Sequence, residues 1–426
     1  MADLGRPVAT TVMRVSLHTF GCKANQYDTE VVRQALEAAG ATVVDEGAPI
    51  DAAVVNSCTV THVSEAKMRG LVRRIARANP DVRTVVMGCA AACDDGRIAA
   101  LPNVTRVVEG AVPERVLQAL RLPPVAIDPI LRSFAGGARA WLKIQDGCDE
   151  HCTFCATTRA RGASRSRPVA EIVREATALA HHHQEIVLTG VHIGAYGRDA
   201  GDVDLGGLVD ALVHRVPNVR FRLSSVEATQ VDVRLIELME HVPLRLAPHV
   251  HAPLQSGSDR VLRRMGRHWY TADTYRRRLE DLAMRTPVLG LGADVMVGFP
   301  GETDDDFTET VTLVDTLPFT YLHVFPYSER PGVASRRIGP PVHPEVTASR
   351  ASELRALASC KGSQYRRRRD GERADIVILQ RARGRFEGLT GDYLTVAVPT
   401  DVATTARFSA HLSALPDGDL RAIPAA

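Results

Sequence analysis

The sequence predicts an α/β protein in three parts: an N-terminal parallel-sheet βα domain, a central partial (β/α) barrel and a small C-terminal all-β domain. Three observations predict it. Apolar runs that end in cysteine alternate with helical patterns over the first quarter of the chain. Six further strand-like runs alternate with amphipathic helices through the middle. From about Ser363 the pattern changes to short strand-like runs separated by turns. A length of 426 residues with 45% hydrophobic composition is enough for two to four domains with their own cores. The boundaries expected are 12–122, a linker at 123–137, a core at 138–362 and a last domain at 363–426.

In the first domain "RVSLHTFGC" leads into a helical pattern from Asn25 to Ala38. "AAVVNSC" leads into the amphipathic "SEAKMRGLVRRIARANP", and "TVVMGC" follows it. Each apolar run ends in a cysteine: Cys22, Cys58 and Cys89. In an open parallel sheet the carboxyl ends of the strands share one edge, and ligands bind there. Three thiols far apart in sequence are therefore expected to meet, although a lone free cysteine is commonly just a small buried residue. Cys93, one helical turn beyond Cys89, is a candidate fourth ligand, and Cys360 has no evident partner.

"LRLPPVAIDPILRSFAGGARA" is rich in proline, glycine and small residues and reads as the linker. The barrel strands expected after it are "AWLKIQDG", "EIVLTGVHIG", "VRFRLSSVE", "PHVHAPLQSG", "LGLGADVMVGFPG" and "YLHVFPYS", with helices such as "DVRLIELMEHV" and "TYRRRLEDLAMR" between them. Thr303 with Asp306 marks a helix start. The histidines 181–183 end a helix and are expected to be solvated. "RRRRDGERADIVILQ", "GRFEGLTGDYLTVAVP" and "ARFSAHL" make up the last domain.

A net charge of +2 with 24% charged residues excludes a global electrostatic case for a polyanion partner, so any nucleic-acid surface must be local. No apolar run of signal-peptide length opens the chain and no run of about 18 apolar residues could span a bilayer. The expectation is a cytoplasmic protein without membrane association. Thiols there are reduced, so closely spaced cysteines point to metal or redox chemistry.

The densest cysteine group is "QDGCDEHCTFC", with Cys148, Cys152 and Cys155 spaced CxxxCxxC directly after a strand. Iron-sulfur clusters are held by thiolates, normally four for a cubane. Three leave one iron without a protein ligand, and an open metal position can bind a small molecule directly. A zinc knuckle completed by His151 is the competing reading, but its usual spacing pairs two CxxC groups.

CxxxCxxC with an aromatic residue, Phe154, before the third cysteine resembles the radical S-adenosylmethionine superfamily. "LTGVHIGAYG", "RLSSVEATQV", "HAPLQSGSDRVLRRMGR", "DVMVGFPGETDDDF" and "HVFPYSERPGVAS" follow in the order of its methylthiotransferase branch, over Ala140 to about Ser335. The resemblance implies a 4Fe-4S cluster on Cys148, Cys152 and Cys155 whose open iron chelates S-adenosylmethionine, and reductive cleavage to a 5'-deoxyadenosyl radical. It implies a second, auxiliary 4Fe-4S cluster on Cys22, Cys58 and Cys89, where sulfur is held and methylated. "FGCKANQYDTE" and "LTGVHIG" look like the enzymes acting on threonylcarbamoyladenosine beside the tRNA anticodon, and the last domain resembles the RNA-binding TRAM domain. The expected partners are a tRNA anticodon stem-loop, an electron donor and a sulfur source.

"RARGASRSR" places Arg159, Arg161, Arg165 and Arg167 just past the cysteine loop, and Arg366 and Arg367 open the last domain. Arginines neutralise phosphates and stack on splayed bases, so these are the expected RNA contacts. Phe154, Gly190, Ser224, Gln255 and Asp294 sit at or near strand ends and are expected to line the cofactor site. No catalytic residue is assigned beyond the cluster ligands. The other readings are a methylthiotransferase for isopentenyladenosine in tRNA or for a ribosomal protein, and a non-catalytic iron-sulfur or zinc RNA-binding protein.

Overall fold

The computed structural model describes residues 12–424 except 46, 60–61, 202, 331, 380–385, 401–405 and 417. The chain forms two compact units. One comprises residues 1–129 with 159–161, the other 130–158 and 162–426.

The first unit runs β1 (Arg14–Thr19), α1 (Lys23–Ala38), β2 (Thr42–Val44), β3 (Ala52–Ser57), α2 (His62–Ala78), β4 (Arg83–Gly88), α3 (Cys89–Ala92), β5 (Val104–Glu109) and α4 (Pro113–Leu120). Its strands form one parallel sheet in the order β2-β1-β3-β4-β5. Helices cover both faces, so β3 is buried along its whole length and reads as an apolar run rather than an alternation. Val54 faces the cluster of Val32, Leu36, Leu117 and Leu120 from α1 and α4, while its neighbour Val55 packs with Met68 and Val72 of α2. The short β2 and the edge strand β5 were not foreseen. Three residues give β2 too little periodicity, and β5 leaves half of its residues exposed.

The second unit begins with β6 (Arg139–Lys143), β7 (Gln145–Asp146), α5 (Thr157–Arg161, whose last three residues count with the first unit), β8 (Arg165–Ser166), α6 (Val169–Ala180) and β9 (Glu185–Thr189). It continues through α7 (Leu205–Arg215), β10 (Arg220–Leu223), α8 (Val233–His241), β11 (His249–His251), α9 (Asp259–Arg264) and α10 (Ala272–Arg285). Then come β12 (Gly290–Val297), α11 (Asp304–Thr316), β13 (Tyr321–Pro326) and α12 (Pro344–Arg368). Parallel pairing joins β6-β9-β10 and β11-β12-β13, and bridges Phe221–Leu246 and Ser225–His251 link the two sets. The result is a six-stranded partial barrel in chain order. Apolar side chains such as Leu142, Leu188, Phe221, Leu291 and Val295 are fully buried. The alternate positions carry Arg139, Glu185, Arg222, His251, Asp294 and His323, so the lumen is polar. Thr303 and Asp306 form a reciprocal capping box at the start of α11.

Two sequence expectations are corrected, the residues that open the last domain and the setting of the histidines at 181–183. Residues 363–368 are helical, because α12 continues to Arg368 and its Tyr365 packs into the last core. Strands resume only at β14 (Arg373–Ile378), followed by β15 (Phe386–Thr390), β16 (Thr395–Val398), β17 (Arg407–Ala414) and β18 (Leu420–Pro424), which close a barrel in the order β14-β15-β16-β18-β17. The linker region is anchored where it enters the second unit: Ile130 and Leu131 are buried and Phe134 packs edge-on against Trp141. Of the three histidines at 181–183, His183 is buried, not solvated; its ring takes the Phe134 N–H at Nε2 (3.0 Å) and gives its own to the Gly137 carbonyl (3.1 Å). No helix among the described residues is long and apolar enough to cross a membrane.

Candidate metal centres

Because β1, β3 and β4 are neighbours in the sheet, Cys22, Cys58 and Cys89 leave it side by side at its carboxyl edge. Cys22 caps α1, Cys58 follows β3 and Cys89 opens α3. Two left-handed glycines make the turns. A Cβ on Gly21 would lie 2.9 Å from Cys58 Sγ, and one on Gly88 would lie 2.1 Å from Asn56 Oδ1. Asn25 sits beneath the triad. Its amide N–H group donates to the carbonyls of Phe20 (2.8 Å) and Ser57 (3.0 Å), and its Oδ1 lies 3.9 Å from Cys22 Sγ and 3.7 Å from Cys89 Sγ. Arg161 donates to Cys89 Sγ (3.2 Å), Asn25 Oδ1 (2.6 Å) and Asp28 (2.8 Å). Burial pushes the Cys89 thiol up to about 11 despite that guanidinium, and the charges of Cys22 and Cys58 push the same way.

In the second unit Cys148, Cys152 and Cys155 occupy the loop between β7 and α5. The Cys155 N–H closes a turn on the Cys152 carbonyl (3.1 Å). The N–H groups of Glu150 and Thr157 point at the sulfurs of Cys148 and Cys155, both at 3.4 Å. Burial pushes Cys148 to about 11 and Cys152 to about 12, with Cys155 adding to both. A buried thiol so raised ionises readily only beside a cation, and an all-sulfur donor set selects soft metals. Around a single zinc ion tetrahedral sulfurs stand about 3.8 Å apart. Among the described residues the only group of potential ligands drawn within 4.8 Å is His251, Asp294 and His323, so both cysteine triads are spread wider than one zinc ion would hold them.

The remaining expected site residues divide. Phe154 meets Phe299 edge-on (6.5 Å) in an apolar cluster with Met265 and Met296. A Cβ on Gly190 would lie 2.6 Å from the Gln145 carbonyl, so close approach within the chain itself requires that glycine. Ser224 follows β10 and donates its N–H to Leu188 (3.0 Å). Gln255 holds a left-handed backbone (φ 64°), and its buried Oε1 has no hydrogen-bond partner. Asp294 lies in the lumen between two imidazoles. Among the arginines, Arg161 is engaged by Asp28, and Arg167 by Glu175 (2.6 Å) and the Lys143 carbonyl. Arg159, near Cys93, and Arg165 are both exposed. Arg366 and Arg367 lie on the last turn of α12.

Three residues near the sulfurs escaped the sequence reading. Arg267 lies 3.8 Å from Cys152 Sγ and is locked by Glu227 (2.6 Å). His192 Nδ1 lies 3.8 Å from Cys148 Sγ, with Nε2 on Gln230 (3.0 Å). Asn25 is the third. A single arginine in an arginine-rich chain gives no signal, whereas His192 and Asn25 stand inside the motifs "LTGVHIG" and "GCKANQYDTE".

Residues 142–314 match the Radical SAM superfamily and residues 14–110 match an uncharacterized protein family, UPF0004. The chain is 36% identical over 405 residues to the threonylcarbamoyladenosine tRNA methylthiotransferase MtaB of Bacillus subtilis, covering 90% of this chain and 89% of that one. It is 35% identical to the protein of the same name from Thermotoga maritima (85% and 86% covered). It is 32% identical to the tRNA-2-methylthio-N(6)-dimethylallyladenosine synthase of Acidithiobacillus ferrooxidans (88% of each). The solved structure of the radical S-adenosylmethionine methyltransferase TsrM from Kitasatospora setae shares the fold, with a TM-score of 0.55 at 15% identity over 74% of this chain and 75% of that one. The superfamily match implies a 4Fe-4S cluster and S-adenosylmethionine. The wide, half-buried, all-sulfur triad of Cys148, Cys152 and Cys155 fits the cluster, and the unsatisfied amide oxygen of Gln255 is the kind of acceptor a cofactor's amino group satisfies. With relatives above 30% identity spanning most of its length, the chain is an enzyme of the radical S-adenosylmethionine methylthiotransferase family.

Proposed function

We propose that the chain is a tRNA methylthiotransferase that converts N6-threonylcarbamoyladenosine beside the anticodon to its 2-methylthio derivative. The observation that carries this reading is the presence of two separate cysteine triads, one at the carboxyl edge of the N-terminal parallel sheet and one in the loop beyond the carboxyl end of β6, in a chain whose relatives are named for that reaction. One triad serves radical generation, and a second is what a reaction that also delivers sulfur requires. In this reading Cys148, Cys152 and Cys155 hold one 4Fe-4S cluster and Cys22, Cys58 and Cys89 hold another. When bound, these groups and S-adenosylmethionine supply a carbon-centred radical able to take a hydrogen from an unreactive C–H bond, and sulfur to replace it.

The chain's own residues do the rest. Glu227 fixes Arg267 as a donor beside Cys152, and Gln230 accepts the His192 Nε2–H and so turns Nδ1 toward Cys148. In the first triad Arg161 donates to Cys89, and the amide oxygen of Asn25, held in place by Arg161, faces Cys22 and Cys89 as an acceptor. Phe154, within the loop, packs edge-on against Phe299 and so anchors the loop to an apolar cluster. Arg159, Arg165, Arg366 and Arg367, with the C-terminal β-barrel, contact the RNA backbone. Each of Arg165→Ala and Arg367→Ala is expected to weaken stem-loop binding alike for all sequences and to reduce the slope of log K against log salt by about 1, read by fluorescence anisotropy.

The deciding experiment is mass spectrometry of nucleosides in total tRNA from cells with and without the gene. Loss of the methylthio form of threonylcarbamoyladenosine, with the unthiolated form accumulating, is expected. Loss of the dimethylallyl-derived methylthio nucleoside instead would assign the reaction of the second group of relatives. With purified protein, Cys152→Ala is expected to abolish cleavage of S-adenosylmethionine. Cys58→Ala is expected to retain part of that cleavage while making no methylthio product, and product from Cys58→Ala would sink the two-cluster reading.

A further inference from the structure

The lumen of the barrel carries a polar wall that the cysteine centres do not use. On three adjacent strands one face presents His249 and His251 from β11, Gly290, Gly292 and Asp294 from β12, and Tyr321 and His323 from β13. The register sets His251 beside Gly292, Gly292 beside Tyr321, and Asp294 beside His323. The opposite face of the same strands, Val250, Leu291, Ala293 and Val295, is fully buried and aliphatic. The two glycines matter to the wall. A Cβ on Gly292 would stand 2.0 Å from the Tyr321 ring, which lies across β12 so that its hydroxyl reaches His249 Nε2 (2.8 Å) and His251 Nδ1 (3.1 Å).

Asp294 organises the upper part. One carboxylate oxygen faces His251 Nε2 and His323 Nδ1, both at 3.2 Å. Burial alone would raise this carboxyl, but the hydrogen bonds and charges of the two imidazoles hold it well below the usual carboxylate range. The wall opens progressively: the side chains of His251, Asp294 and His323 are 8%, 26% and 63% exposed. At the amino ends of the strands Tyr393 stacks on His249 (4.3 Å) and Arg222 lies over Tyr393 (5.2 Å), which closes the floor. His323 is thus held by its Nδ1, and its Nε2 has no hydrogen-bond partner among the described residues.

A wall of this kind is a poor surface for hydrocarbon. An isoprenoid arm pressed against it would strip water from a carboxylate and an imidazole and return no hydrogen bond, and sites built around polar partners reject analogues that lack them by large factors. A hydroxy-acid arm satisfies it. With protons on both ring nitrogens His323 gives Nδ1–H to Asp294 and Nε2–H to a carboxylate, and the other oxygen of Asp294 accepts from a hydroxyl or amide N–H. We propose that His323, held by Asp294 and backed by His251, is the specificity subsite that receives the hydroxy-acid arm on N6 of the substrate adenosine. This rests on the methylthiotransferase reading above and assigns residues to its choice among modified adenosines.

The test uses the full chain, reconstituted anaerobically, and three anticodon stem-loop RNAs that differ only at N6 of the target adenosine: unsubstituted, threonylcarbamoyl and dimethylallyl. Initial rates of methylthio product give KM and kcat for the wild type, His323→Leu and His323→Gln. His323 is exposed enough for both substitutions to fold, and iron content with a thermal melt checks that they do. The wild type is expected to prefer the threonylcarbamoyl RNA. His323→Leu is expected to raise KM for that RNA at least tenfold and to narrow its preference over the dimethylallyl RNA by a similar factor, and His323→Gln to recover most of both. Unchanged KM and preference in a folded His323→Leu would overturn the inference and leave the proposed function standing. A wild type that thiolates only the dimethylallyl RNA would overturn the proposed function itself, and the inference with it. One divalent ion per chain, bound by the wild type and lost in His323→Leu, would also overturn it, because the three side chains would then be metal ligands.

Discussion

Glu185 lies fully buried at the amino end of β9, with the guanidinia of Arg139 (2.7 Å), Arg220 (2.7 Å) and Arg222 (2.9 Å) around its carboxylate. Burial by itself would raise this carboxyl, but the three positive charges hold it well below the usual range. Removing one partner from a buried ionic group leaves the others uncompensated at a cost of about 3–5 kcal/mol. Glu185→Gln is therefore expected to lose stability of that order, measured by the shift in denaturant midpoint at neutral pH; a loss below about 1 kcal/mol would mean that water or other groups compensate the arginines. Nothing in "HHQEIVLTG" marks this residue, because the three arginines come from two other strands. The cysteines were legible for the opposite reason: thiol chemistry is carried by residue type and spacing within a few positions. Asn25, His192 and Arg267 needed the folded chain to bring them to the sulfurs.

At the scale of elements, the β15–β16 turn enters the floor of the partial barrel. Arg220 donates to the Leu389 carbonyl (3.1 Å), and Arg222 to those of Thr390 (2.9 Å) and Gly391 (2.8 Å). Gly290 permits that approach, since a Cβ there would lie 2.2 Å from the Asp392 carbonyl oxygen. Alanine in place of a strand glycine ordinarily stabilises; Gly290→Ala is expected to destabilise by about 1–3 kcal/mol through overpacking, checked by thermal melting. The segment entering β6 is held by His183, whose partners require the neutral ring. Burial lowers its pKa and nearby His182 adds to that, against the opposing hydrogen bond to Gly137. Above about pH 6.5 the ring is neutral in both folded and unfolded chains. As pH falls through that value the unfolded chain takes up a proton that the folded ring resists, so stability drops. Melts at pH 7.5 and 5.5 are expected to show a larger loss for the wild type than for His183→Asn, and equal losses would clear His183 of the effect. Helix α12 teaches a related lesson: its arginine run looked like the start of the β domain, yet Tyr365 anchors it as helix through a contact with Asp392 (2.8 Å) that no local pattern encodes.

For the molecule as a whole, the two-triad reading predicts an iron inventory. Each 4Fe-4S cluster contributes about 4 iron atoms, so the wild type is expected to hold about 8 per chain and a Cys148→Ala, Cys152→Ala, Cys155→Ala triple variant about 4. Iron and sulfide analysis of anaerobically prepared protein checks this, and complete loss from the triple variant would place all the iron on the second unit. The sequence by itself determined the three-part α/β order, the cysteine-bearing strand ends and the family, because hydrophobic period, thiol spacing and motif order are local properties of the chain. Only the tertiary structure decided which side chains surround the sulfurs, that the arginines at 161 and 167 are engaged in ion pairs, and that the lumen wall is built from His251, Asp294 and His323. Those residues lie up to 72 positions apart and meet because parallel register, fixed by backbone pairing across three strands, turns them to one face.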